Sequence, residues 1–124
     1  MKKIFLVSIL LSVLFYSCNE LKMQESEPHY RLFETKNFWT FIQLDTATGK
    51  MWQIQYDIEG DKRGGVVLNE IDLSNDIKQK SGRFTLYQTQ NMYNFILLDQ
   101  IDGRSWQVQW SIEQENRGIV PIMQ

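Results

Sequence analysis

The sequence predicts an all-β protein: two tandem three- to four-stranded repeats packed about a pseudo-twofold axis, as a sandwich or a partly closed barrel. Three observations carry that expectation. Sliding the chain against itself by 54 residues aligns Tyr30 to Leu68 with Phe84 to Ile122 without a gap, and 16 of the 39 aligned pairs are identical. Chance gives about one identity in 20, so the chain contains an internal duplication. Within each copy, apolar and polar residues alternate with a period of two, and each alternating run follows a turn built from Asp and Gly.

The elements follow in order. Tyr30 to Thr35 and Phe84 to Thr89 each read as a strand. Phe38 to Leu44 and Met92 to Leu98 are apolar on both sides, as in a strand covered on both faces. Next come the turns Asp45 to Lys50 and Asp99 to Arg104. Gly49 and Gly103 supply a positive φ there, and each Asp can accept bonds from the turn's own amides. In the third strand Trp52, Ile54, Tyr56 and Ile58 alternate with Met51, Gln53, Gln55 and Asp57, and Trp106, Val108, Trp110 and Ile112 repeat the pattern. A four-residue turn puts each glycine in its last position and places Trp39, Phe41, Trp52, Ile54 and Tyr56 on one side. A three-residue turn would set Trp39 and Phe41 beside the glutamines, because a one-residue slip reverses every side chain. Short strands at Gly65 to Leu68 and Ile119 to Ile122 close the copies, the last bearing Pro121 as edge strands do.

The domain so defined spans 30–122, with repeat one at 30–68, a polar linker at 69–83 and repeat two at 84–122. Residues 1–17 precede it as a signal peptide. Met1-Lys2-Lys3 is a positive start, and Ile4 to Tyr16 is an apolar run of 13 residues, short of the about 20 a spanning helix needs. Cys18, the only cysteine, follows Ser17 directly and rules out an internal disulfide. Residues 18–29 are polar and aperiodic and read as a tether.

Composition narrows the function classes. The chain has 124 residues, 43% hydrophobic and 13% aromatic, which suits one small globular domain. Lys and Arg number 13 against 15 Asp and Glu, so the charge is −2, and removal of residues 1–17 with their two lysines leaves −4. That balance argues against nucleic acid as a partner. His29 is the single histidine, lies in the tether and has no copy in repeat two, so no histidine triad or zinc site is expected. Asp45 and Asp99 read as turn caps, and Glu59 and Glu113 as local ion-pair partners of Arg63 and Arg117. No catalytic residue, metal ligand or cofactor is assigned.

Six residues form the candidate ligand-binding set. Gln53, Gln55, Gln107 and Gln109 lie on the strand face opposite the tryptophans, where their amides could read a sugar or a peptide. Trp39 and Tyr93 open the second strand of each copy, where a ring can stack on a ligand. Trp52, Trp106 and Trp110 fit the core.

The apolar run ending in Ser17-Cys18 resembles a looser bacterial lipobox, with Phe15 where Leu, Val or Ile is usual. The resemblance implies a diacylglyceryl group on Cys18 and a protein anchored to the outer membrane of the cell envelope, periplasmic or surface-exposed. With its doubled T-x-N-x-[WY]-x-F and W-Q-[IV]-Q-[YW] strings, the whole is similar to small uncharacterised bacterial lipoproteins, a resemblance that implies no activity. The shorter L-D-x-x-T-G-K-x-W string resembles the hairpin of pyrroloquinoline-quinone-type propeller blades. A propeller takes at least four blades and two copies are present, so neither that fold nor its cofactor is carried over.

The expected function is therefore a non-catalytic, membrane-anchored binding or interaction module, with a glycan or a protein as ligand. An inhibitor or immunity-type lipoprotein that blocks a partner protein is the alternative. A hydrolase using Asp45, Asp99 or the Glu59 and Glu113 pair ranks below both.

Overall fold

The computed structural model describes residues 27–75 and 79–124. The expected signal peptide, Cys18 and the greater part of the expected tether lie outside the described residues. Repeat one forms β1 (Tyr30–Glu34), β2 (Thr40–Asp45), β3 (Met51–Gln55) and β4 (Gly64–Asn69). Repeat two forms β5 (Phe84–Gln88), β6 (Asn94–Asp99), β7 (Ser105–Gln109) and β8 (Gly118–Ile122), with one short 3-10 turn at Gln114–Asn116. Each repeat is an antiparallel meander in strand order, so the described residues form two four-stranded sheets, neither closed into a barrel. The all-β sandwich expected from the sequence is the fold.

The duplicated turns fix the register. Asp45 N–H donates to the Lys50 carbonyl and Asp99 N–H to that of Arg104, each at 2.9 Å, which leaves four residues in each turn. Gly49 and Gly103 occupy the last of those positions, both at φ +81°. Leu44 therefore pairs with Met51, and Leu98 with Ser105. In each repeat the tryptophan side of the sheet is here called the front and the glutamine side the back. A row across the front of sheet one runs Leu32, Gln43, Trp52, Val67, and its copy runs Leu86, Leu97, Trp106, Pro121. The matching back rows are Phe33, Ile42, Gln53, Val66 and Tyr87, Ile96, Gln107, Val120.

Burial then separates the copies. Sheet one buries its back, with Ile42, Leu44 and Met51 fully covered, and sheet two buries its front, with Phe84, Phe95, Leu97, Val108 and Trp110 at 2% exposure or less. One apolar layer lies between these faces, with Phe33, Leu73 and Ile119 at its margin. A twofold axis would bury the same positions in both copies. The repeats are instead stacked front to back, which corrects the expected axis. Trp52 is accordingly only half-buried on the free front of sheet one, whereas its copy Trp106 is 6% exposed in the core.

Contacts between equivalent positions agree with stacking. Gln88 Nε2 donates to the carbonyl of its own counterpart, Glu34, at 2.6 Å. Lys36 Nζ donates to the carbonyls of Thr89 and Gln90 at 3.2 and 2.9 Å. The linker wraps the first turn. Leu73 N–H donates to the Thr48 carbonyl, Asn69 Nδ2 to that of Gly49, and Gly82 N–H to Thr46 Oγ1. Thr46, Ala47 and Thr48 are consequently buried, while Ile101 and Asp102 in the second turn are exposed. Pro28 and His29, read from composition as tether, accept bonds from Thr46 on the same turn.

Candidate functional site

The doubled T-x-N-x-[WY] string is a device for holding an aromatic ring. Thr35 Oγ1 donates to the Thr40 carbonyl at 2.7 Å and accepts from Asn37 N–H, and Asn37 Oδ1 accepts from Trp39 N–H at 2.9 Å. Thr89, Asn91 and Tyr93 repeat the arrangement with the same atoms. Each turn lifts its aromatic residue onto the front face at one end of the sheet.

In repeat one the ring stands in a cluster. Trp39 lies 5.0 Å from Tyr56 and 4.9 Å from Phe38, and Tyr56 lies 6.0 Å from Phe41. Phe38 is 71% exposed and Trp39 37%. With Leu32, Trp52 and Val67 this makes an open apolar sheet face. In repeat two Tyr93 packs 5.0 Å from Trp110, whose Nε1 donates to the Met92 carbonyl at 2.8 Å. Trp110 is fully buried there and Phe95 nearly so, which leaves Met92 and Tyr93 on the surface.

The four glutamines have different fates. Gln53 is 5% exposed and sits in the joint between the sheets: its Nε2 donates to the Ser111 carbonyl at 3.1 Å and its Oε1 accepts from Ser111 N–H at 3.2 Å. Gln107, its copy, is exposed on the free back of sheet two and donates to Asn94 Oδ1 at 2.8 Å. Gln55 borders a 200 Å³ cleft between the repeats, with Lys62, Ile112 and Arg117. Gln109 shares a 330 Å³ hollow with Tyr93, Trp110, Glu113 and Asn116. Of the six predicted site residues, Tyr93 and Gln109 therefore line one hollow and Gln53 and Gln55 one cleft, whereas Trp39 and Gln53 stand on opposite faces of sheet one.

The repeated acids cap turns. Asp45 Oδ1 accepts from Ala47 N–H at 2.9 Å and lies 3.0 Å from His29 Nε2. Asp99 is fully buried and accepts from Arg83 Nε and Nη2, from Arg104 Nη2 and from Ile101 N–H. Burial raises its pKa, but the Arg83, Ile101 and Arg104 bonds outweigh that and hold the carboxyl down at about 2. Fixed as an anion between guanidinium groups, it is a poor proton acceptor. His29 and Arg83 occupy equivalent positions, so the histidine has a counterpart in role though not in residue type.

The expected ion pairs of Glu59 with Arg63 and Glu113 with Arg117 are replaced by bonds to main chain. Arg63 Nε donates to the Asp57 carbonyl at 2.9 Å and Arg117 Nε to the Ser111 carbonyl at 2.7 Å, because a guanidinium here satisfies a strand-end carbonyl six residues back. Among the described residues no group of three His, Cys, Asp or Glu side chains is placed to hold a metal ion.

Sequence reasoning did not single out Leu32 and Phe38 on the open face or Ser111 in the joint between the sheets. Leu32 and Leu86 are identical in sequence, so nothing local separates the exposed copy from the buried one. Gln53 and Ser111 are 58 residues apart, a distance at which no local pattern operates. Comparison of the chain with known protein families, with curated proteins and with solved structures finds no match.

Proposed function

We propose that the protein is a non-catalytic, membrane-anchored interaction module whose recognition surface is the front of sheet one. The observation that carries this reading is the difference between two copies of one surface. In repeat two the front serves as an interface and is covered by sheet one. In repeat one the same positions hold Tyr30, Leu32, Phe41, Trp52, Ile54 and Tyr56, with Gln43 where repeat two has Leu97, and they face outward. A sheet face of that composition favours contact with another flat apolar surface over the enclosed pocket a small molecule needs. A protein partner is therefore favoured over a glycan. Anchoring rests on Ser17-Cys18 and the apolar run before it.

Oxidative footprinting of the full chain tests the surface. Trp39, Trp52 and Tyr56 are expected to react slowly in the native envelope and fast after dispersal and dilution. Equal reactivity in both states would overturn the reading. Cys18→Ala is expected to release the protein from the membrane fraction with its melting temperature unchanged.

A further inference from the structure

We infer that the partner of this face is a second copy of the chain, bound head to tail, with the front of sheet one in one copy packed on the back of sheet two in the next. The inference rests on the proposed recognition surface and names what covers it.

The template is inside the molecule. The joint between the repeats sets the back of sheet one against the front of sheet two. Among the described residues nothing covers the front of sheet one or the back of sheet two, and these are the two halves of a further joint of the same kind. Both halves keep much of what the internal joint uses, with Gln43 in place of the buried Leu97 on the free front and Ser105 in place of the buried Met51 on the free back. On the free front, Leu32, Phe41 and Trp52 are identical to the buried Leu86, Phe95 and Trp106. On the free back, Ile96 and Leu98 are identical to the buried Ile42 and Leu44, and Tyr87 stands for the half-buried Phe33. Tyr87 is 53% exposed and Val120 64%. A surface meant only for water has no need of such a pattern, and two repeats are fewer than a stacked array uses to cover its faces.

The polar clasp is preserved as well. In the internal joint, Gln53 reaches from a back face to both main-chain groups of Ser111. On the free back the same position is Gln107, and on the free front the position of Ser111 is Asp57. Stacking a second copy brings the Gln107 amide to the Asp57 main chain, whose carbonyl accepts only Arg63 Nε among the described residues. Pairing front to front would oppose identical faces and leave the clasp without a partner. A head-to-tail joint is heterologous, so it closes into a ring or continues as a fibre according to the rotation at each step. Between chains no linker wraps the second turn, so the joint lacks the effective concentration that the internal one enjoys and depends on protein concentration.

Sedimentation velocity on the full chain tests this with two variants. Leu32→Lys with Val67→Lys blocks the front, and Tyr87→Lys with Val120→Lys blocks the back, all at exposed sites, with circular dichroism to check folding. The native chain is expected to associate as concentration rises. Each variant alone is expected to stay monomeric, and an equimolar mixture to form a one-to-one dimer and nothing larger. A native chain that is monomeric at its highest soluble concentration overturns the inference, as does a back-blocked variant that dimerises alone. Envelope protection of Trp39 and Trp52 in a chain that stays monomeric would leave the recognition surface standing with a different partner. Gln107→Ala supplies a second measurement: about tenfold weaker association at an unchanged melting temperature is expected, and undiminished association overturns the inference.

Discussion

Gln53 and Ser111 are joined by two hydrogen bonds, the side-chain amide of one donating to the carbonyl and accepting from the N–H of the other at 3.1 and 3.2 Å. The pair ties the back of sheet one to the strand end of repeat two across the core. An amide is the natural side chain here, because only it offers a donor and an acceptor at the spacing of a peptide group.

Replacing Gln53 by Ala leaves both Ser111 groups without that partner, and Arg117 compensates only at the carbonyl. A loss of about 1 to 3 kcal/mol follows. Gln107→Ala, at an exposed copy of the position, is expected to change stability by less than about 0.5 kcal/mol. Urea denaturation of both variants checks the contrast, and equal losses would contradict it.

The two tryptophans that the sequence makes equivalent are not equivalent in energy. Trp106→Ala empties a core site beside Phe84 and is expected to cost about 3 to 5 kcal/mol. Trp52→Ala, half-buried on the free front, is expected to cost roughly 1 to 2 kcal/mol. Thermal melts at low protein concentration check this.

Acid is expected to weaken the fold through Asp99. Its folded pKa of about 2 lies below the unfolded value of about 3.9, so its stabilisation is complete above the unfolded value and is lost as pH falls toward the folded one. The loss amounts to roughly 2 to 3 kcal/mol between about pH 5 and pH 2. Asp99→Asn is expected to be less stable at pH 7 and to show a flatter decline over that range, followed by melting temperature against pH.

Glycine at the end of each turn separates strain from space. At Gly103 nothing lies within 4 Å of where a Cβ would sit, so Gly103→Ala meets only the positive-φ penalty of about 1 to 2 kcal/mol. At Gly49 the same φ is joined by Leu73 Cδ1 at 3.0 Å, and Gly49→Ala is expected to cost roughly twice as much. Chemical denaturation of the two single variants measures the difference.

The sequence by itself determined the repeat, the succession of strands, the position of the turns and the alternation of aromatics with glutamines along the third strand. These features are local. Alternation sets the face, Gly49 and Gly103 mark the turn, and Thr35 and Asn37 set the aromatic that follows. The structure chose the four-residue turn over the three-residue one and so set Trp39 and Phe41 opposite the glutamines. Only the tertiary structure decided which face each sheet buries. Trp52 and Trp106 sit in near-identical strings, as do Gln53 and Gln107, yet one of each pair enters the core and the other meets solvent. The reason is that burial belongs to a pair of faces: stacking two like sheets front to back consumes one front and one back, and no residue within a copy records whether a neighbour lies ahead of it or behind it.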